Sequence, residues 1–192
     1  MLFFDEETLT SESGVPEDFL KQIINDYTKM LYNFIRRFGF SDEETEDILQ
    51  EVFVKVWKYK DSFDETKSAL KTWVFTITKN TVYDTLRKKK NRTVVYSLDT
   101  VDDDGITHDV EDSSKDVLVI LEKELQNKDI LSAIDSLQEN EKTILLLHFE
   151  EDMTFNEIGL LFNVSLNTVK STYRRTLLKL KSILLERAPN KG

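Results

Sequence analysis

The chain has no cysteine, only two prolines and five glycines among 192 residues, and no long apolar run. Without thiols it can form no disulfide, thiolate metal site or thiol redox switch. So little glycine and proline disfavours a fold of strands and tight turns. Leu, Lys, Glu, Asp and Ile dominate instead, and the class reads as all-α. The opening, MLFFDEE, has too short an apolar stretch and too many acids for a secretory signal, and nothing reaches the ~18 apolar residues of a bilayer span. A cytoplasmic protein with no direct membrane insertion is expected. His108 lies in an acidic segment and His148 beside an apolar run; with no second imidazole at metal-site spacing, both read as solvated or structural. There is no glycine loop to cradle a nucleotide and no nucleophile beside a base. A helical enzyme or metalloprotein is therefore disfavoured, and no cofactor or metal is expected.

What is present is charge sorted by position. The net charge is -10, yet Lys79 to Arg92 holds six bases against Asp84 alone, and Lys170 to Arg187 holds six against Glu186 alone. Between them, Thr93 to Lys128 carries ten acids and three bases. An acidic protein with two separate basic surfaces suits a polyanion gripped at two chosen places, because the rest of its surface repels phosphate.

Apolar periodicity places the elements. Phe19, Leu20, Ile23, Ile24, Tyr27, Leu31, Phe34, Ile35 and Phe38 recur at helical spacing from Pro16, with Gly39 as the stop. Ser41 and Glu44 form a capping-box signature for a second helix with Ile48, Leu49, Val52, Phe53, Val56 and Trp57 on its stripe. A third helix from about Ser68 to Lys90 turns Leu70, Val74, Ile77, Thr81 and Val82 inward, completing a three-helix bundle over residues 16–92. Residues 93–128 have the composition of a flexible acidic linker. In the second lobe, residues 129–187, a helix carrying Ile130, Leu131, Ile134 and Leu137 precedes another from Glu141 to Phe149. Thr154 and Glu157 then cap a short helix that Asn163 can end, and Ser165 opens a longer basic one. Short helix, three-residue turn and basic second helix define a helix-turn-helix.

Three faces are candidates for function. On the last helix, Asn167, Lys170, Ser171, Arg174 and Arg175 lie away from the apolar stripe, where polar groups can reach base edges and cations can neutralise phosphates. The alternative is a solvated basic face on an ordinary α-hairpin. On the second helix, Asp47, Gln50, Glu51, Val54, Lys55 and Lys58 mix acids, an amide and an exposed valine, which suits a protein partner. A solvated face with Glu51 and Lys55 as an i,i+4 pair explains the same residues. On the third helix, Trp73, Ile77, Asn80, Asp84 and Arg87 precede the run RKKKNR: an aromatic plane for bases, an amide for base edges, cations for phosphate. Here too a plain reading is open, with Trp73 as core.

The stretches DILQEVFVKVW, LKTWVFTITKNTVYDTLRKKK and LSAIDSLQENEKTILLLHFEEDMTFNEIGLLFNVSLNTVKSTYRRTLLKL closely resemble the sigma-70 family, specifically the compact extracytoplasmic-function sigma factors that keep only regions 2 and 4. The resemblance runs from about Asp18 to Leu185. It implies that Asp47, Gln50, Glu51 and Phe53 match the motif for the clamp helices of core RNA polymerase, Phe53 supporting the helix from inside. It implies that Trp73, Asn80, Asp84 and Arg87 match the region that opens and reads the minus-ten promoter element, with Lys88, Lys89 and Lys90 as its phosphate-contacting tail. Thr168, Lys170, Ser171 and Arg175 match the helix that reads the minus-thirty-five element, and the acidic linker matches the segment threaded through the polymerase cleft. Thr172 and Leu177 stand where the family often has arginines, which points to weaker or retuned minus-thirty-five binding that Arg174 partly offsets.

The expected function is thus a promoter-specificity subunit that binds core RNA polymerase and promoter DNA and acts by binding, not chemistry. Family members are commonly held by an anti-sigma factor, often membrane-anchored, although no residue here identifies one. The rival reading is a free-standing helix-turn-helix regulator with the first lobe as a sensor or dimerisation module.

Overall fold

A computed structural model describes residues 17–90 and 128–187, and within them every regular element is helical. Helix α1 spans Glu17–Arg36, α2 Asp42–Tyr59 and α3 Leu70–Lys90, with a 3-10 turn, Lys60–Ser62, after α2. The second lobe comprises α4 (Lys128–Asp135), α5 (Glu139–Phe149), α6 (Phe155–Phe162) and α7 (Leu166–Arg187). Residues 93–127 of the acidic linker lie outside the described residues.

Local chemistry sets the boundaries. Ser41 Oγ accepts from the Glu44 N–H at 3.1 Å while Glu44 Oε2 accepts from the Ser41 N–H at 2.9 Å, so both signature residues cap α2. Thr154 and Glu157 do the same for α6, and Asn163 ends it in the left-handed conformation with φ 56°. Gly39 takes φ 78° in the turn after α1, a region where a Cβ is strained. Helix α5 starts at Glu139, two residues earlier than its apolar pattern indicates, because Glu141 Oε2 accepts from the Gln138 N–H at 3.0 Å.

The first lobe packs Ile23, Leu31, Phe34 and Ile35 of α1 with Leu49, Val52, Phe53 and Val56 of α2 and with Val74 and Phe75 of α3. Phe34 meets Phe75 edge-on at 5.4 Å between ring centres, the geometry aromatic quadrupoles prefer. In the second lobe α7 lies across α4, α5 and α6, burying Val169, Leu177 and Leu180. His148 is structural: Nδ1 lies 2.8 Å from the Met153 carbonyl oxygen, and its ring packs on Phe155 and Tyr173.

The two lobes dock directly, mainly α3 against α6. Arg37 grips Glu150 with two bonds, Nη2 to Oε1 at 2.6 Å and Nε to Oε2 at 3.3 Å. Lys71 donates to the Glu151 carbonyl, Lys79 donates to the Leu161 carbonyl at 3.0 Å, and the Tyr83 hydroxyl lies 2.7 Å from Thr143 Oγ1. Beyond its predicted stripe α3 also buries Thr72, Phe75, Thr78, Tyr83 and Leu86, with Tyr83 in this contact and Phe75 against Phe34 of the first lobe.

Gly159 sits where α6 meets the turn into α7, and a Cβ there would stand 3.0 Å from the Val164 carbonyl oxygen. Because that neighbour is backbone, Gly159→Ala should destabilise the second lobe by about 1 to 3 kcal/mol. Urea unfolding followed by far-UV circular dichroism checks this, and an unchanged midpoint would mean that the turn yields freely.

Candidate nucleic-acid and partner interfaces

Helix α2 divides into two sides. Ile48, Leu49, Val52, Phe53 and Val56 are buried, whereas Asp47, Gln50 and Glu51 are exposed and Val54 is 57% exposed. Phe53 has no exposed surface and supports the helix from within. Lys55 does more than pair with Glu51, which it meets at 2.7 Å. Its ammonium also donates to Thr81 Oγ1 at 3.1 Å and so ties this face to α3.

On α3, Trp73, Asn80, Asp84 and Arg87 fall on one strip, because steps of seven, four and three residues return to the same side of a helix. Asn80, Arg87, Lys88 and Lys89 are exposed and Asp84 is half-exposed. Asp84 accepts from Arg87 Nη1 at 2.9 Å, and Lys89 pairs with Glu44 at 2.7 Å. The Lys89 ammonium, followed by the Ser41 N–H, holds the Glu44 carboxyl below its ordinary range. Trp73 answers to both readings: half-buried, with its ring 5.4 Å from that of Phe63 in the loop after α2. In the 3-10 turn that leads to Phe63, Lys60 is buried with its ammonium 3.3 Å from the centre of the Trp57 ring. Lys90 closes the helix. Lys79, counted with the basic end by its place in the sequence, is instead turned into the lobe contact.

The recognition-helix candidates divide. Asn167 and Lys170 are exposed and Arg174 and Arg175 half-exposed, whereas Thr168 and Ser171 retain 9% and 5% of their surface. Their hydroxyls are locally engaged. Thr168 Oγ1 lies 2.8 Å from Ser165 Oγ, and Ser171 Oγ donates to the Thr168 carbonyl at 3.1 Å. In this arrangement the accessible face is Asn167, Lys170, Arg174 and Arg175. Thr172 and Leu177 are buried too, at 6% and 2% exposed, so their difference from arginine is first a matter of packing.

Two family models match the chain in order: Sigma-70 region 2 over residues 23–92 and Sigma-70, region 4 over residues 133–182. Together they cover more than half of it, and the chain belongs to the sigma-70 family. Within that family it groups with the extracytoplasmic-function branch. It is 29% identical over 164 residues to the ECF RNA polymerase sigma factor SigW of Bacillus subtilis, spanning 83% of this chain and 85% of that one. It is 25% identical to the RNA polymerase sigma factor NccH of Alcaligenes xylosoxydans xylosoxydans, spanning 85% of each. In fold it is similar to the sigma factor RpoE solved with the anti-sigma factor NepR from Bartonella quintana, with a TM-score of 0.62 at 20% identity over 90% of this chain and 99% of that one. CnrH, solved with the cytosolic domain of CnrY, gives 0.63 at 18% identity over 90% and 92%. The protein is a sigma factor that directs RNA polymerase to promoters. Among the described residues no helix is long and apolar enough to cross a membrane.

Two ionisable groups at the lobe contact make the stability of the folded chain sensitive to pH. Burial pushes the Glu151 carboxyl up to about 7 from an ordinary 4.5; Lys71 opposes the shift, and Glu150 and Asp152 add to it. Burial alone pushes Lys79 down to about 8 from 10.5. The folded chain therefore holds the Glu151 proton more tightly than the unfolded one, a contribution fully present below pH 4.5 and lost as pH rises through about 7. It holds the Lys79 proton less tightly, a contribution present above pH 10.5 and lost as pH falls through about 8. The sum of the two is thus smallest between about pH 7 and 8. The urea midpoint of the native chain minus that of a Glu151→Gln, Lys79→Met variant, followed across about pH 5 to 10, should dip in that window; a flat or monotonic difference would overturn the assignment.

Proposed function

We propose that the chain works as a bivalent adaptor whose three exposed faces divide the labour of promoter recognition. Asp47, Gln50 and Glu51 dock the core polymerase, the Trp73–Asn80–Asp84–Arg87 strip with Lys88 to Lys90 engages the opened minus-ten element, and α7 reads the minus-thirty-five duplex through Asn167, Lys170, Arg174 and Arg175. Thr168 and Ser171 join that reading once their surfaces are uncovered. Each lobe binds DNA weakly alone, and polymerase makes the second contact intramolecular. Opening follows because the strip holds unstacked bases better than paired ones, a differential affinity that shifts the closed-to-open equilibrium. The protein performs no chemistry itself, takes no cofactor and works in the cytoplasm beside the polymerase. Since two fold relatives were solved with an anti-sigma factor or the cytosolic domain of a partner, an inhibitory protein partner is proposed here as well. The observation that carries this reading is the strip on α3: it is the side of that helix left open when the others are packed, and it holds an indole, an amide and a guanidinium in register.

Lysine in place of Asp47, Gln50 and Glu51 changes only exposed positions, so the fold should survive. Like-charge juxtaposition costs several kcal/mol, and core polymerase affinity should fall at least about 100-fold. Co-purification of the triple variant with core at the native level would reject this surface.

Asn80 is exposed, so Asn80→Ala removes only hydrogen bonds to DNA, each worth about 0.5 to 1.5 kcal/mol. Core binding and closed-complex formation should be unchanged. Permanganate footprinting should show strand opening reduced about three- to tenfold, with recovery on a template already unpaired at minus ten. A free-standing regulator gives Asn80 no role in opening, and normal melting of a linear duplex by the variant would remove the strip from the mechanism.

A further inference from the structure

We infer that Leu166 is a further specificity residue of α7, its side chain covering the 5-methyl group of a thymine in the minus-thirty-five duplex, on or beside the base pair that Asn167 meets. This inference rests on the assignment of α7 to that element.

The start of α7 is secured without Leu166. Ser165 Oγ accepts from the Thr168 N–H at 3.1 Å, the bond that an N-cap makes to the third helical residue. The positions that brace such a cap with an apolar contact are the one before it and the fourth after it, here Val164 and Val169. Leu166 is neither. It is 36% exposed, whereas Val169 and Tyr173, also among the first eight residues of α7, keep 0% and 8% of their surface. On its open side it forms part of the wall of a cleft of about 490 Å³, shared with Asn156, Leu160 and Asn163.

A lone exposed leucine needs no explanation; what sets this one apart is where it stands. Leu166, Lys170 and Arg174 follow one another at steps of four residues and so line one side of the helix. Asn167 and Lys170 are exposed and Arg174 half-exposed there. The leucine therefore continues a basic, amide-bearing face whose charge suits DNA. Among the groups a base pair presents in the major groove, the thymine methyl is the apolar one, and aliphatic side chains pack on it. Consecutive Cα atoms stand about 3.8 Å apart and base pairs about 3.4 Å, so Leu166 and Asn167 meet the same pair or adjacent ones. An amide on adenine N6 and N7 with a leucine on a thymine methyl distinguishes A·T from G·C, which phosphate contacts alone do not.

Replacing thymine by deoxyuridine removes this methyl and nothing else, which makes the contact testable on the holoenzyme. Core polymerase carrying the native chain first selects a preferred minus-thirty-five sequence from randomised duplexes. Each thymine of either strand is then replaced by deoxyuridine in turn. Burial of one methyl is worth about fourfold in affinity, so closed-complex affinity, measured by competition, should fall about fourfold at one thymine. The Leu166→Ala holoenzyme should no longer distinguish thymine from deoxyuridine at that position. Leu166→Met, which keeps the apolar volume, should retain most of the difference. The ratio of the two affinities should not change with salt, because the methyl contact releases no counterion. A selected element made only of G·C pairs, or a methyl effect that survives in Leu166→Ala, would overturn the inference. So would a native holoenzyme indifferent to every deoxyuridine, the result expected if a protein covers Leu166 instead. While base-pair exchanges within the element still lower affinity, the assignment of α7 stands in each of those cases. Absence of any sequence preference at minus thirty-five would remove that assignment, and the inference with it.

Discussion

Helix α3 has a limited circumference, and three surfaces compete for it. One side closes the first lobe, with Phe75 against Phe34 and Thr81 bonded to Lys55 of α2. Another receives the second lobe through Lys71, Lys79 and Tyr83. The strip of Trp73, Asn80, Asp84 and Arg87 is what remains. Because two sides are fixed by packing, the third is held rigidly, and a rigid strip loses little conformational freedom when it meets an ordered ligand. Its positioning therefore depends on the helices packed against the other two sides.

Lys55 extends that dependence to the face proposed to meet the polymerase. It is the half-buried neighbour of Glu51 at i,i+4, and for a surface pair that alone is worth about 0.3 to 0.5 kcal/mol. Its second bond, to a threonine with no exposed surface on the adjacent helix, changes its standing. An ammonium held from both sides fixes the Glu51 carboxylate relative to α3, and so relative to the strip of Trp73, Asn80, Asp84 and Arg87.

Much of this was legible in the sequence, for identifiable reasons. Ser41 with Glu44, Thr154 with Glu157, and Asn163 fix helix ends through bonds made within four residues, so their effect does not wait on tertiary structure. The stripe of α2 was equally plain, because one side of that helix meets water. The reading of α3 was incomplete because helical periodicity registers one buried side, and a helix packed on two sides shows no clean alternation. Tyr83 and Leu86 were the available signal: large side chains off the predicted stripe, in a helix assigned to the first lobe alone. Thr168 and Ser171 carried no such signal. Small hydroxyl residues are neutral in pattern, and their burial is decided by what covers them.

The lobe contact differs in kind from either core. The cores are apolar, with Phe34, Phe53, Phe75, Leu145 and Ile144 almost without exposed surface. The docking side of α3 carries groups that are worse off docked than hydrated. Lys79 is pushed down to about 8 and Glu151 of the facing loop up to about 7, both first by burial. The Thr72 hydroxyl, two helical turns from Lys79 on the same side, is buried without a hydrogen-bond partner among the described residues. An orphaned hydroxyl of this kind costs about 1 to 3 kcal/mol, and water would satisfy it on separation. Arg37 and Glu150 work in the other direction with a bidentate bond that forms only when the lobes meet. Contributions of opposite sign thus meet in this one contact, and a partner that prefers the separated form works with the buried polar groups instead of against an apolar seam. An apolar interface of the same extent would lack these internal costs and would hold the lobes more firmly together.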